Sequence, residues 1–381
     1  MEIQLSQEEI SEFAGLAGKF AQSSLRSYLN PEFSDGEIER LPQILEEARK
    51  TGLLADAENS YGVWGFDLNA HPDVSLKLLT ILAEVCGGAA MCFHQNGLAF
   101  NILHFLSSPP SELSFRTVAV ALQESHTIPH VESILKNTSA PVFETQVVRG
   151  ENGQWLLRGA KRFVYSLPGN EAYLVFVQDG DEPAAALLPA DSPGMKIKPL
   201  EPRLGLAACR VEYLILEDVL LEENRIFRGK EVGAALLRTL FIQWLGISAI
   251  AVGIGRGALK AAGKYAGERY QGGTTIENHP AVQRLLSGSE ENIVSAEAQL
   301  NQKWRLDAMD TNSLRKAATT KRSVTRLCTQ AVSDALQCFG GYGYMEDYGM
   351  EKRFRDVHTL KAMVGSPFYL QRLIHHWGGE A

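Results

Sequence analysis

Apolar residues recur at intervals of three and four through ILEEARKTGLL (44–54) and again through VSLKLLTILAEVCGGAAMCFHQNGLAFNILHFL (74–106), the period of an amphipathic helix. The run SSPPSEL (107–113) then stops the helices. From about residue 117 the period changes to two. TVAVALQES, PVFETQVVRG, GQWLLRGAKRFVYS, EAYLVFVQDG, AAALLPA, MKIKPL and VEYLILEDVLL are short and rich in β-branched or aromatic residues, with glycine, proline, asparagine and aspartate between them. Asn152-Gly153 predicts a two-residue hairpin turn. From about residue 229 long helical patterns return, in ALLRTLFIQWLGISAIAVGIGRGALKAAGKYAGERY, HPAVQRLLSGSEENIVSAEAQLNQKWRLDAMD, SLRKAATTKRSVTRLCTQAVSDALQCFG and EKRFRDVHTLKAM. The order predicts an α+β, mainly α chain in three blocks: an N-terminal helical domain at 1–116, a central antiparallel β-barrel or sandwich at 117–228, and a C-terminal four-helix bundle at 229–381. Clefts on either side of a sheet held between helices suit a large flat cofactor and a thin ligand.

Within the third block, TLFIQWLGISAIAVGIG (239–255) is apolar almost throughout and approaches the length of a membrane span. Gln243, several small residues and the flanking Arg238 and Arg256 favour a buried core helix instead. The 381 residues are 45% hydrophobic, enough for a large core, and the net charge of −8 provides no field for a phosphate backbone, which argues against nucleic acid as a partner. Five scattered cysteines (Cys86, Cys92, Cys209, Cys328, Cys338) without CxxC spacing argue against a disulfide framework or a zinc site and suit a reducing cytoplasm. The beginning MEIQLSQEEISEF is acidic and amphipathic, unlike a secretory or transit signal.

Three stretches stand out for chemistry. They are QCFGGYGYMEDYGMEKRFRDV (337–357), KYAGERYQGG (264–273) and RLGLAACRVEYLILEDVLLEENRI (203–226). Gly340, Gly341 and Gly343 remove side chains where a helix ends, which lets backbone approach a phosphate or a ring edge, and a planar guanidinium such as Arg269 suits a pyrophosphate. The plainer reading is a glycine turn and a surface arginine. Together with the helix–sheet–helix order, the three stretches resemble the acyl-CoA dehydrogenase family of flavoproteins over essentially the whole chain. The resemblance implies FAD as cofactor, an acyl-CoA thioester as substrate, a dimer of dimers, and electron-transfer flavoprotein as a possible partner. It also implies that Arg269, Gln271, Gln337, Gly340 and Gly341 hold the FAD of a neighbouring subunit, while Gln123, Phe163, Tyr165, Ser166 and Ser366 contact it from within the chain.

Departures from the family pattern lie in the sheet and at the base. Where the family has a TEPGAGSD-like loop, this chain has QESHTIPH (123–130), in which Glu124 matches, His126 and Ile128 replace glycines, and Pro129 has no N–H to donate. Where the family has WITNG, this chain has FVYSLPG (163–169). The family's reaction takes an α-proton of the thioester with a glutamate, a group whose pKa burial can raise. Most members carry that glutamate just after the basic helix, where this chain has Met363, Val364, Gly365 and Ser366; others carry it on the first long helix, where Gln243 and Trp244 stand. Neither valine nor an amide takes a proton at neutral pH. His94 and Glu124 are substitute candidates, each weighed against a hydrogen-bonded structural role. His126 and His130 lie in a loop that a ligand could reach, and His375 and His376 read as solvent-facing.

Three functions follow from the resemblance. The chain is an acyl-CoA oxidoreductase with a displaced base, a half-site or non-catalytic subunit of a mixed oligomer, or a flavoprotein with different chemistry such as oxygen activation or elimination.

Overall fold

A computed structural model describes residues 5–26, 37–106, 115–124, 142–306 and 310–378. Helix α1 (Gln7–Phe20) starts at a capping box, in which Ser6 Oγ accepts from the Glu9 N–H and the Glu9 carboxylate accepts from the Ser6 N–H at 2.8 Å. Helices α2 (Glu37–Lys50), α3 (Pro72–Val85) and α4 (Gly87–Leu106) complete the first helical layer. Seventeen consecutive residues of α4, Gly87 to Leu103, are buried, so the helix is covered on all sides rather than along one stripe.

Among the described residues eight strands follow: β1 (Val118–Ala121), β2 (Gln146–Arg149), β3 (Trp155–Ser166), β4 (Ala172–Asp179), β5 (Glu182–Pro189), β6 (Met195–Pro199), β7 (Arg210–Leu221) and β8 (Ile226–Phe227). They form one sheet in the order β6-β7-β3-β2-β4-β5-β8, with β1 alongside β4. The sheet is not purely antiparallel as expected: β4 pairs in parallel with both β1 and β2. Strands β1 and β2 therefore run in the same direction, which alternation alone does not reveal. Strand β4 is buried on both faces. Tyr173, Val175 and Val177 point into the barrel, and Leu174 and Phe176 into the helical core. The expected hairpin joins β2 to β3, but its loop has three residues rather than two. The Gly153 N–H bonds to the Gly150 carbonyl, Gly150 pairs with Gln154, and Gly153 supplies the left-handed conformation (φ 75°) that restores the strand.

The last block opens with α5 (Lys230–Glu268), 39 residues or about 58 Å long. It is apolar and long enough to cross a membrane, yet its most apolar window lies wholly inside the protein. Close approach explains its glycines: a Cβ on Gly253 would sit 2.3 Å from the Thr80 carbonyl of α3, and one on Gly257 2.2 Å from that of Glu84. A short hairpin of β9 (Tyr270–Gln271) and β10 (Thr274–Thr275) leads to α6 (Pro280–Leu300), α7 (Thr311–Gln337) and α8 (Met350–Ala362). After a break at 363–366, α9 (Pro367–Gly378) adds a fifth helix to the four expected, and His375 and His376 lie on its exposed face.

Candidate functional site

A cleft of about 700 Å³ opens between the sheet and α8. One wall is Gln123, just after β1, with Phe163 and Tyr165 of β3. The opposite wall is His358, Thr359 and Ala362 of α8, followed by Met363, Gly365, Ser366 and Tyr369. The segment Pro199–Gly205 closes one side.

Local structure explains each wall. Strand β3 slips register against β7 between Lys161 and Val164, and this bulge holds Phe163 at φ 53° with its side chain half exposed toward the cleft. Alternation then sends Tyr165 to the cleft face and Ser166 to the other. The Ser166 hydroxyl donates to Glu212 Oε2 inside the barrel (2.7 Å), and the Tyr173 hydroxyl donates to the same oxygen (2.7 Å). The 199–205 side is pinned to α8. The Leu206 N–H donates to Asp356 (2.5 Å), Lys352 holds that carboxylate (2.9 Å), and a Cβ on Gly205 would strike the Arg355 carbonyl at 2.6 Å.

The break after α8 is held from two helices. The Trp244 indole N–H of α5 donates to the Val364 carbonyl (2.8 Å), and Lys321 Nζ of α7 donates to the carbonyls of Gly365 (2.7 Å) and Lys361 (3.1 Å). Val364 is left-handed (φ 41°) with its side chain buried, an unusual state for a β-branched residue, and Gly365 follows at φ 102°. Ser366 accepts from the Tyr369 N–H (3.3 Å) and Pro367 opens the next helix, so Ser366 serves as an N-cap at the cleft.

Gln243 and His94 belong to a closed buried network. The Trp64 indole N–H donates to His94 Nδ1 (2.8 Å), which leaves the ring proton on Nε2, directed to Gln243 Oε1 (3.1 Å). Gln243 and Gln95 exchange hydrogen bonds at 3.2 Å through both amide groups. Burial lowers the His94 pKa to about 4, against the pull of Gln243, so the ring is neutral and its one basic lone pair is occupied. Such an imidazole takes no proton from a ligand, and Gly246 is obliged to be glycine because a Cβ would lie 2.2 Å from that ring. Glu124 is equally committed. Its carboxylate accepts from Lys161 Nζ (2.7 Å) and from the N–H groups of Glu144 (2.6 Å) and Thr145 (2.8 Å). Burial alone would raise its pKa, but Lys161 and the backbone donors hold it below the usual value, which suits an anchor and not a base.

The remaining cofactor candidates stand apart from the cleft lining. Arg269 follows α5 and lies over the Tyr342 ring at 5.6 Å, while Gln271, Gln337, Gly340 and Gly341 are exposed. Tyr265 stacks on Phe339 at 4.3 Å and meets Tyr348 edge-on at 5.3 Å beneath them. His126 and His130 lie outside the described residues. Sequence reasoning missed three cleft residues, Glu201, Arg203 and His358. A basic or acidic residue on a helix or loop has no signal of its own, and the juxtaposition depends on how the 199–205 segment docks on α8.

Helical, sheet and helical blocks in this order, with a cleft between sheet and last bundle, make up the acyl-CoA dehydrogenase fold. Residues 245–365 match the family of the acyl-CoA dehydrogenase C-terminal domain. The chain is 27% identical to an acyl-CoA dehydrogenase of Bacillus subtilis, over 87% of this chain and 88% of that one. It is 26% identical to the caffeyl-CoA reductase-Etf complex subunit CarC of Acetobacterium woodii, over 58% and 60%. The structure of a glutaryl-coenzyme A dehydrogenase complex with glutaryl-CoA superposes with a TM-score of 0.79 at 18% identity, covering 98% of this chain and 96% of the other, a likeness of fold. The chain thus has the acyl-CoA dehydrogenase fold, and its residues 245–365 match that family's C-terminal domain. It spans about three-fifths of the length of the reductases it matches.

Proposed function

We propose that this protein is an FAD-dependent oxidoreductase acting on a CoA thioester at the cleft between β3 and α8, with no glutamate on the 363–366 turn. The observation that carries the reading is the half-exposed Phe163 ring, held by a strand bulge over a cleft whose opposite wall is the helix end at 362–366. An apolar ring left half open in a concavity suits a flat ring system. Phe163 and Tyr165 would hold the isoalloxazine, with Gln123 and the capped Ser366 turn as polar contacts; bound there, the flavin supplies two-electron chemistry at the cleft. Burial raises the Tyr165 hydroxyl's pKa, so at neutral pH this group is a hydrogen-bond donor rather than an anion.

Arg269, Gln271, Gln337, Gly340 and Gly341 suit the phosphate end of a cofactor in another copy, which supports a dimer of dimers with shared sites. A relative in a reductase-Etf complex supports an electron-transfer flavoprotein as partner. Five buried cysteines, none in a disulfide among the described residues, suit a reducing compartment. The names of the relatives point to aryl, cyclic and short straight acyl groups as the panel to test. The test is anaerobic titration of the purified protein with 3-phenylpropanoyl-, cyclohexanecarbonyl- and butyryl-CoA, read by flavin absorbance. Bleaching by at least one supports the reading; a flavin-free protein that takes up no FAD refutes it.

A further inference from the structure

A CH–CH bond next to a thioester loses two hydrogens, and the one on Cα is acidic because the carbonyl takes up the electron pair. A group must accept that proton. Val364, Gln243, His94 and Glu124 do not, for the reasons given. Two other titratable groups of suitable class line the cleft, His358 and Glu201. Glu201 has a half-exposed carboxylate and stands 3.4 Å from the Arg203 guanidinium. His358 stands on α8, whose cleft-facing residues 358, 359 and 362 lead directly into the turn at 363–366. Its Nδ1 lies 2.8 Å from the Phe354 carbonyl, one turn back. A carbonyl only accepts, so Nδ1 carries the proton and the Nε2 lone pair, at the far edge of the ring, is free of any protein donor among the described residues. The ring packs on Phe354 at 4.1 Å, which fixes its plane.

We propose that His358 is the catalytic base for the thioester in this cleft. The inference rests on the proposed CoA-thioester activity. In the step, the Cα–H bond breaks and its electron pair moves toward the thioester carbonyl as an enolate, while the proton passes to Nε2 to give imidazolium. The reverse returns a proton to Cα. No electrons leave the thioester–histidine pair, so the step is measurable by itself. Other charged or titratable groups of the cleft are Glu201 and Arg203 on the facing segment, Tyr165 on β3 and Tyr369 on α9.

The experiment incubates the purified, flavin-loaded protein with 3-phenylpropanoyl-CoA and butyryl-CoA in D₂O, without an electron acceptor, and measures deuterium at Cα of the recovered thioester by mass spectrometry. Wild type is expected to exchange. His358→Gln is expected to lose roughly 10²–10⁴-fold in exchange rate, the usual share of a positioned base, while keeping its flavin spectrum. Exchange in His358→Ala is expected to recover with added imidazole, which a structural role would not allow. Exchange in His358→Gln at the wild-type rate, or its loss in Glu201→Gln alone, overturns the proposal while leaving the CoA-thioester reading standing. A wild-type protein that binds FAD but exchanges neither thioester overturns the base assignment; one that binds no FAD defeats the function beneath it as well.

Discussion

Lys321 offers a test of how the turn at 363–366 is built. Its ammonium is fully buried in α7, bonded to the Gly365 and Lys361 carbonyls and paired with no carboxylate among the described residues. Burial lowers its pKa to about 7, whereas an unfolded lysine titrates near 10.4. Below about pH 7 both states hold the proton and the folded state bears the full cost of a buried charge. Between about pH 7 and 10 only the unfolded state still binds it, so this group's contribution to stability rises with pH, by up to about 1.4 kcal/mol per unit. Lys321→Met removes the titration. Urea unfolding of both proteins at about pH 7.5, 8.5 and 9.5 should show wild type gaining roughly 2 kcal/mol on the variant across that range. Comparing the two cancels the opposite contribution of buried thiols such as Cys328, whose raised pKa disfavours folding in alkali. Parallel pH profiles would mean that Lys321 keeps its charge when folded, and the clamp as described would be wrong.

Other positions yield further expectations. Trp244→Phe removes the donor to the buried Val364 carbonyl and should cost about 1–3 kcal/mol in urea unfolding, with faster amide exchange at 363–366; an unchanged midpoint contradicts the clamp. At Val364, the left-handed backbone should make glycine at least as stabilising as alanine, the reverse of the usual order, and Val364→Ala distinctly more stable than Val364→Gly would deny the strain. Lowering of His94 to about 4 means that the unfolded state takes its proton first as pH falls, so roughly 3 kcal/mol should be lost between about pH 7 and 4, a loss absent from the acid unfolding curve of His94→Asn. Glu124→Gln leaves Lys161 buried without its partner and should cost about 3–5 kcal/mol; a neutral outcome would remove the ion pair from the account.

Much of the architecture is written locally. The switch from a period of three or four to two, and its return, foretells the helical, sheet and helical order of the chain. Pairing is not local: nothing in VAVA or QVVR states that both lie parallel to AYLVFVQD. The same limit governs the site. Phe163 and Tyr165 were legible from their place in a motif, yet the bulge that lifts Phe163 and the alternation that turns Ser166 onto Glu212 depend on register. The His94 network spans residues 64, 94, 95 and 243, and its effect is to remove a candidate base whose residue type alone favoured it. His358 shows the converse, since a histidine within a basic helix gains meaning only when its Nδ1 is tied back and the cleft lies in front of it.

The measurement that bears most directly on the account is the visible spectrum of the purified protein, before and after incubation with FAD and then with acyl-CoA under anaerobic conditions. A protein-bound flavin spectrum that Phe163→Ala weakens without unfolding the chain is expected, with bleaching by at least one thioester. A colourless protein that binds no added FAD, with an intact fold, would contradict it.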